Sequence, residues 1–251
     1  MGASLVRGLL YSGALKANEL IVSDIDERKL EELGEIGIRT TTDNKKLVED
    51  CDVVFISVKP DIVESVLKGV EDVSKDRLFI SVAAGVSTKF IEVHTKARVV
   101  RVMPNTCAEV AKMASCFSLG KRATPDDEEL VERLLGGLGT TFKVDEKLMD
   151  AVTGLSGSGP AYFYIFIKAM QGAGVELGLS SEVALKLAAQ TAKGAGEMVL
   201  RTESPDDLIK QVCTPKGTTA EGIKVLGNKK VADAIKEAVK AAAKRAKELS
   251  K

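Results

Sequence analysis

Apolar residues follow two different rhythms along this chain. Up to about residue 145, short apolar runs alternate with amphipathic stretches; beyond it only helical spacing persists. Residues 3–11 predict a helix with Leu5, Leu9 and Leu10 on one side, ended at Gly13. Leu20-Ile21-Val22-Ser23 predicts a short strand closed by Asp24. Residues 26–36 predict a charged helix stopped around Gly37, and residues 43–49 a short helix. Residues 51–58 form a continuous apolar run, the mark of a buried parallel strand, with Pro60 opening the next helix. Residues 78–83 and 98–103 repeat that pattern; residues 115–119 and 142–144 carry it more weakly. Between those two, Thr124-Pro125-Asp126-Asp127 caps a helix reaching Leu138, with a threonine cap, a first-turn proline and acids that complement the helix dipole. Strands alternating with helices imply βαβ units and a doubly wound parallel α/β sheet of the Rossmann kind.

No strand is expected after Asp145. Residues 160–178 are apolar nearly all round, which predicts a fully buried helix. Residues 181–200 are rich in alanine, and Ser204-Pro205-Asp206-Asp207 repeats the earlier cap chemistry. Residues 229–249 predict a final helix with Val231, Ile235, Ala238, Ala242 and Leu249 along one side. The change of pattern places a domain boundary near 145–150: an α/β domain over 1–147, and an all-helical domain over 148–251.

Composition narrows the class. The 251 residues suit one large or two small domains. Lys plus Arg and Asp plus Glu both number 36, so nothing is basic enough to suggest nucleic acid. Cys51, Cys107, Cys116 and Cys213 are scattered without a paired motif, which suggests neither a zinc site nor a disulfide framework and fits reduced thiols in a cytoplasm. The longest apolar stretch stops at Lys168, too short to span a bilayer. Met1 leads directly into an amphipathic helix, with no signal peptide in view.

The chemistry concentrates in two small-residue stretches. Thr153-Gly154-Leu155-Ser156-Gly157-Ser158-Gly159-Pro160-Ala161-Tyr162 reads as a turn feeding a helix start, either an anion site or a tight packing turn. Val212-Cys213-Thr214-Pro215-Lys216-Gly217-Thr218-Thr219 precedes a helical stretch over 220–226, and its backbone amides suit a carboxylate. Both blocks resemble the signature turn and the substrate loop of pyrroline-5-carboxylate reductases, and the likeness runs along essentially the whole chain. It implies reduction of 1-pyrroline-5-carboxylate to L-proline by NADPH or NADH, in a homodimer or larger homo-oligomer of interleaved subunits.

On the cofactor side, Gly2 looks like the last glycine of a GxGxxG turn, with Asp24 about 20 residues on. An acid there accepts hydrogen bonds from ribose hydroxyls and repels a 2′-phosphate, which favours NADH although the family mostly uses NADPH. The resemblance adds Asn44, then Val58, Lys59 and Pro60 at one strand end, Ala83 and Ala84 at the next, and Asn105 after a third. On the substrate side it implies Ser156, Glu203, Gly217 and Thr218, with Thr219 as the catalytic threonine at the ring nitrogen. The chain departs from the family at Cys107, usually proline, and at Thr214 and Lys216, usually serine and glycine. His94, the single histidine, falls at a helix end away from both motifs.

The strand expected before Gly2 is not in this sequence. In the usual order 3-2-1-4-5-6 that leaves residues 20–23, and 51–58 or its neighbouring strand, each short of a neighbour, and implies that the native gene starts upstream and that a chain beginning at Met1 binds NADH poorly. Two other readings compete: a β-hydroxyacid dehydrogenase, and a truncated non-catalytic homologue that forms oligomers.

Overall fold

The computed structural model describes residues 1–202 and 204–249. It divides into two units: Met1–Ser158 together with the last helix from Ala241, and Gly159–Lys240. The first unit runs α1 (Gly2–Tyr11), β1 (Ile21–Ser23), α2 (Glu27–Glu35), β2 (Arg39–Thr41), α3 (Asn44–Asp50), β3 (Val53–Ile56), α4 (Val63–Val70) and β4 (Leu78–Ser81). It continues α5 (Thr88–Val93), β5 (Arg98–Met103), β6 (Met113–Leu119), α6 (Pro125–Gly136), β7 (Gly139–Lys143) and α7 (Met149–Val152). Then come α8 (Gly159–Glu176), α9 (Ser181–Thr202), α10 (Pro205–Val212), α11 (Thr218–Asn228) and α12 (Val231–Leu249).

Two sheets form, β1-β2 and β3-β4-β5-β6-β7. Every pair is parallel except β5–β6. That exception follows from length: residues 104–112 are too few for a crossover helix, so β6 turns back antiparallel. β4 is buried along its whole length, as a strand covered on both faces must be. One apolar cluster gathers Leu5 and Leu9 of α1 with Ile80, Val100, Phe117 and Leu135; the other gathers Val63 and Leu67 of α4 with Val54, Phe79, Val99 and Ile91.

β1 and β3 border a single, largely apolar cleft of about 560 Å3, to which every residue of both strands contributes. Among the described residues neither strand is paired on the side facing that cleft. An open strand edge beside apolar walls is a pairing surface.

Three expectations need correction. β2 was not foreseen, because Arg39-Thr40-Thr41 is short, polar and mostly exposed; it is a strand through pairing with β1. Pro60 does not open a helix. The Ile62 amide donates to the Lys59 carbonyl at 3.0 Å, and α4 starts at Val63. α8 is not buried in the single chain: only Gly159 is, while Phe163 is 62% and Ile165 68% exposed.

The cap on α6 is as expected, and it recruits a further partner. The Asp127 amide donates to Thr124 Oγ1 at 3.2 Å, the Thr124 amide to Asp127 Oδ2 at 2.9 Å, and Arg98 Nε to Asp127 Oδ2 at 2.8 Å. Burial pushes the Asp127 carboxyl up, but the bonds from Thr124 and Arg98 outweigh it and hold it below the usual range. A depressed folded pKa stabilises above the unfolded value and is lost as pH falls through the folded one. Asp127→Asn should therefore destabilise the first unit by about 1–3 kcal/mol at neutral pH. The deficit should shrink as pH falls below the usual carboxylate range and through the lowered folded value. Urea melts of both proteins across pH 2–7 test this; a deficit independent of pH contradicts it.

Candidate active site

The cofactor side is built from strand ends of the first unit. α1 begins at Gly2 without a side-chain cap from Met1, so its first amides have no partner within the helix. A Cβ on Gly2 would lie 2.6 Å from Ser57 Oγ and 3.3 Å from Ser57 Cβ, so the missing side chain lets the helix start approach this strand end closely. Ser23 Oγ donates to Asn44 Oδ1 at 2.8 Å, tying the end of β1 to the start of α3. Gly2, Ser23, Asn44, Ser57 and Val58 line one end of the cleft between β1 and β3. An uncapped helix start beside small residues at strand ends fits the pyrophosphate of a dinucleotide.

Asp24 follows β1 directly. Its Oδ1 accepts from the Asp26 amide at 3.0 Å, and Lys29 Nζ stands 3.5 Å from Asp24 Oδ2 and 3.6 Å from Asp26 Oδ2. Two carboxylates share one ammonium, so a negative charge remains at this strand end. Lys59 is exposed in the turn after β3, and Pro60 is half-buried beside it. Ala83 is buried and Ala84 half-buried after β4.

Asn105 is buried after β5, and both ends of its amide are engaged. Oδ1 accepts from the Cys107 amide at 3.1 Å, and Nδ2 donates to the Ser156 carbonyl at 3.1 Å. That bond holds Thr153–Gly157, a wide π-helical turn whose signature is the 2.8 Å bond from the Ser158 amide to the Thr153 carbonyl. π-helical turns often mark functional sites. Ser156 Oγ donates to the Val152 carbonyl at 3.1 Å, so the hydroxyl is turned to its own helix.

The second unit holds the other block. Gly217 is the N-cap of α11 and gives no side-chain cap. A Cβ there would collide with Thr214 Oγ1 and lie 3.0 Å from the Thr214 carbonyl oxygen. Thr218 and Thr219 do not precede the helix, as expected, but form its first turn, where their amides are unbonded by the helix. Lys216 takes φ 61°, a left-handed conformation that suits glycine better. Glu203 lies outside the described residues.

His94 closes α5, with Nδ1 2.9 Å from the Phe90 carbonyl oxygen and Nε2 3.7 Å from Glu64 Oε1. The four cysteines are free, and burial pushes the Cys51, Cys107 and Cys116 thiols up, away from reactive thiolates. Among the described residues, no cluster of His, Cys, Asp or Glu could hold a metal ion.

Comparison with known proteins decides the family. The profile described as pyrroline-5-carboxylate reductase dimerisation matches residues 146–249, and one described as NADP oxidoreductase, coenzyme F420-dependent, matches residues 1–85. A pyrroline-5-carboxylate reductase of Methanosarcina acetivorans is 41% identical over all of this chain and 95% of its own length. The chain belongs to the pyrroline-5-carboxylate reductase family. The Arabidopsis thaliana reductase is 40% identical over all of this chain and 92% of its own length. The Plasmodium falciparum reductase, solved with NADP bound, superposes with a TM-score of 0.91 at 30% identity, covering all of this chain and 95% of that one.

Within this family frame, the structure brings Gly2, Asn44 and Val58 to one cleft end, and links Asn105 to Ser156. One residue on that side was not singled out. Ser23 is a small polar residue at a strand end, and that position at the carboxyl edge of a parallel sheet is the signal that points to it.

Proposed function

We propose that the chain reduces 1-pyrroline-5-carboxylate to L-proline with a nicotinamide dinucleotide. The observation that carries this reading is the match to reductases of that substrate over the full length of the chain. The same match sets aside the β-hydroxyacid dehydrogenase reading.

The substrate is a cyclic imine with one carboxylate. Reduction adds hydride to carbon 5 and a proton to the ring nitrogen. A bound dinucleotide supplies the hydride. The amides of Thr218 and Thr219, with Gly217 before them at the uncapped start of α11, suit the carboxylate by geometry and by helix dipole. Thr219 is half-buried in that first turn, and its hydroxyl positions the ring nitrogen and relays the proton. A threonine is too weak an acid to drive the step alone, so its contribution is orientation. The turn carrying Ser156 shapes the substrate side through its backbone. On the cofactor side, Gly2, Asn44, Val58, Lys59, Pro60, Ala83 and Ala84 sit at the carboxyl ends of β1 to β4, where open α/β sheets take their ligands. The charge left at Asp24 and Asp26 favours NADH over NADPH. The protein works as a homo-oligomer of at least two subunits, in the cytoplasm. Among the described residues, no helix is long and apolar enough to cross a membrane.

Thr219→Ala tests the residue assignment. Turnover should fall about ten- to a hundredfold, the scale of one lost transition-state hydrogen bond, with dinucleotide affinity nearly unchanged. Initial rates and a fluorescence titration of NADH on both proteins give the two numbers. An equal loss of cofactor affinity would put Thr219 in the wrong site.

A further inference from the structure

Arg101 is the anomaly of the central sheet. It lies on β5 opposite Ser81 of β4 and Ser118 of β6, and its side chain is only 6% exposed. A guanidinium so buried is costly unless paired, and an apolar side chain of similar volume would often serve stability better. Its pairing is incomplete as well: Nε and Nη2 are buried with no partner among the described residues. Among the described residues the carboxylate it meets is that of Glu146, with Nη1 3.3 Å from Oε1. Stability alone is a poor account of such a residue.

Glu146 is the hub. Its Oε1 accepts from the Thr88 amide at 2.7 Å as well as from Arg101, and its Oε2 accepts from Thr88 Oγ1 at 2.7 Å. Both oxygens are used, and the three donors come from two elements, the start of α5 and the middle of β5. Glu146 also opens a continuous helical run: a 3-10 turn over Glu146–Leu148, α7, and then the π-helical turn Thr153–Gly157. In a continuous helical run, anchoring the first residue sets the phase of the turns that follow. Met149, fully buried, fills the inner side of that run. At its far end the Asn105 bond to Ser156 is a second anchor, from just beyond the carboxyl end of β5.

We propose that Glu146 is a positioning residue for the imine reduction. Its bridge to Arg101 and Thr88 sets the helical phase of the segment, and with Asn105 it clamps the π-helical turn at the carboxyl end of β5. The charge on Arg101 is retained because it fixes one rotamer and one place for Glu146, which a packed apolar pair would not. The inference rests on the reading of this protein as an imine reductase whose signature turn borders the substrate.

The test is Glu146→Gln in the full chain. Gln keeps the size and one acceptor for Thr88 but removes the charge opposite Arg101. Well below the melting temperature, kcat should fall about tenfold or more, as misplacement of substrate-bordering groups does. The dissociation constant for NADH should change less than kcat, by about twofold, since the cleft end lined by Gly2, Asn44 and Val58 does not pass through Glu146. Backbone amide exchange over residues 153–158 should speed up about tenfold while α1 and β4 keep their protection. A merely structural bridge predicts a lower melting temperature with unchanged kcat and unchanged local exchange, and that result overturns the proposal. If Glu146→Gln does not fold, Thr88→Val, which keeps the ion pair and removes one hydrogen bond, takes the same readouts with the same meaning. If the wild-type chain is inert towards the imine, the reductase reading falls, and the exchange comparison still decides whether Glu146 holds the turn.

Discussion

Phe163→Asp is expected to abolish self-association and, with it, turnover. In the single chain Phe163 is 62% exposed on α8, beside Tyr164 and Ile165, which are also exposed. An exposed substitution of this kind changes the stability of a monomer by about 0.5 kcal/mol or less. Apolar exposure running this far around a helix is not normal for a monomer's surface, and it lies in the stretch matched by the reductase dimerisation profile. Against a second copy of the chain, the same aspartate would be buried without a partner, at a cost of several kcal/mol. The substitution therefore separates the two cases by its size. Light scattering at low micromolar concentration should show the wild type as a dimer or larger and Phe163→Asp as a monomer with its helical content intact. A wild type that is itself monomeric contradicts the assignment of this face.

Asp24→Ser should move coenzyme preference from NADH towards NADPH. Asp24 and Asp26 stand about one Lys29 ammonium, so a 2′-phosphate arriving at the end of β1 meets net negative charge. Taking away Asp24 leaves Lys29 facing Asp26 alone, and the local charge becomes neutral. One charge interaction near the surface is worth about 1 kcal/mol or somewhat more, so the ratio of kcat/KM values for the two coenzymes should shift roughly tenfold. Lys29→Ala should shift it the other way. A wild type that uses NADPH far better than NADH shows that charge at Asp24 does not decide the choice.

Legibility in the sequence followed the range of the interactions. Helix caps are local chemistry, and Thr124 and Ser204 both proved to be N-caps, each followed by a first-turn proline. β3, β4 and β5 are visible as apolar runs because burial on both faces demands them. β2 is not, because Arg39 and Thr40 are exposed and only the pairing with Ile21 and Val22 makes them a strand. The even apolarity of α8 is plain in residues 160–178, but sequence cannot say whether the cover is the same chain or another. At the site, glycine-turn spacing led to Gly2 and the family resemblance to Asn44 and Val58, and all three line one cleft. The Glu146 hub was invisible, since its partners Arg101 and Thr88 are 45 and 58 residues away and no local pattern links them. Asn105 was placed by resemblance as a cofactor residue; the fold shows it also anchoring Ser156, a job only the tertiary structure reveals.

The most direct test of the central claim is a product balance. The purified chain is given 1-pyrroline-5-carboxylate with NADH, and separately with NADPH, and proline is measured by amino-acid analysis against dinucleotide oxidised. One proline for each dinucleotide, with oxidation absent when the imine is omitted, is the result expected. Dinucleotide oxidation without proline, or no imine-dependent oxidation with either coenzyme, would contradict the assignment of this chain as a working imine reductase.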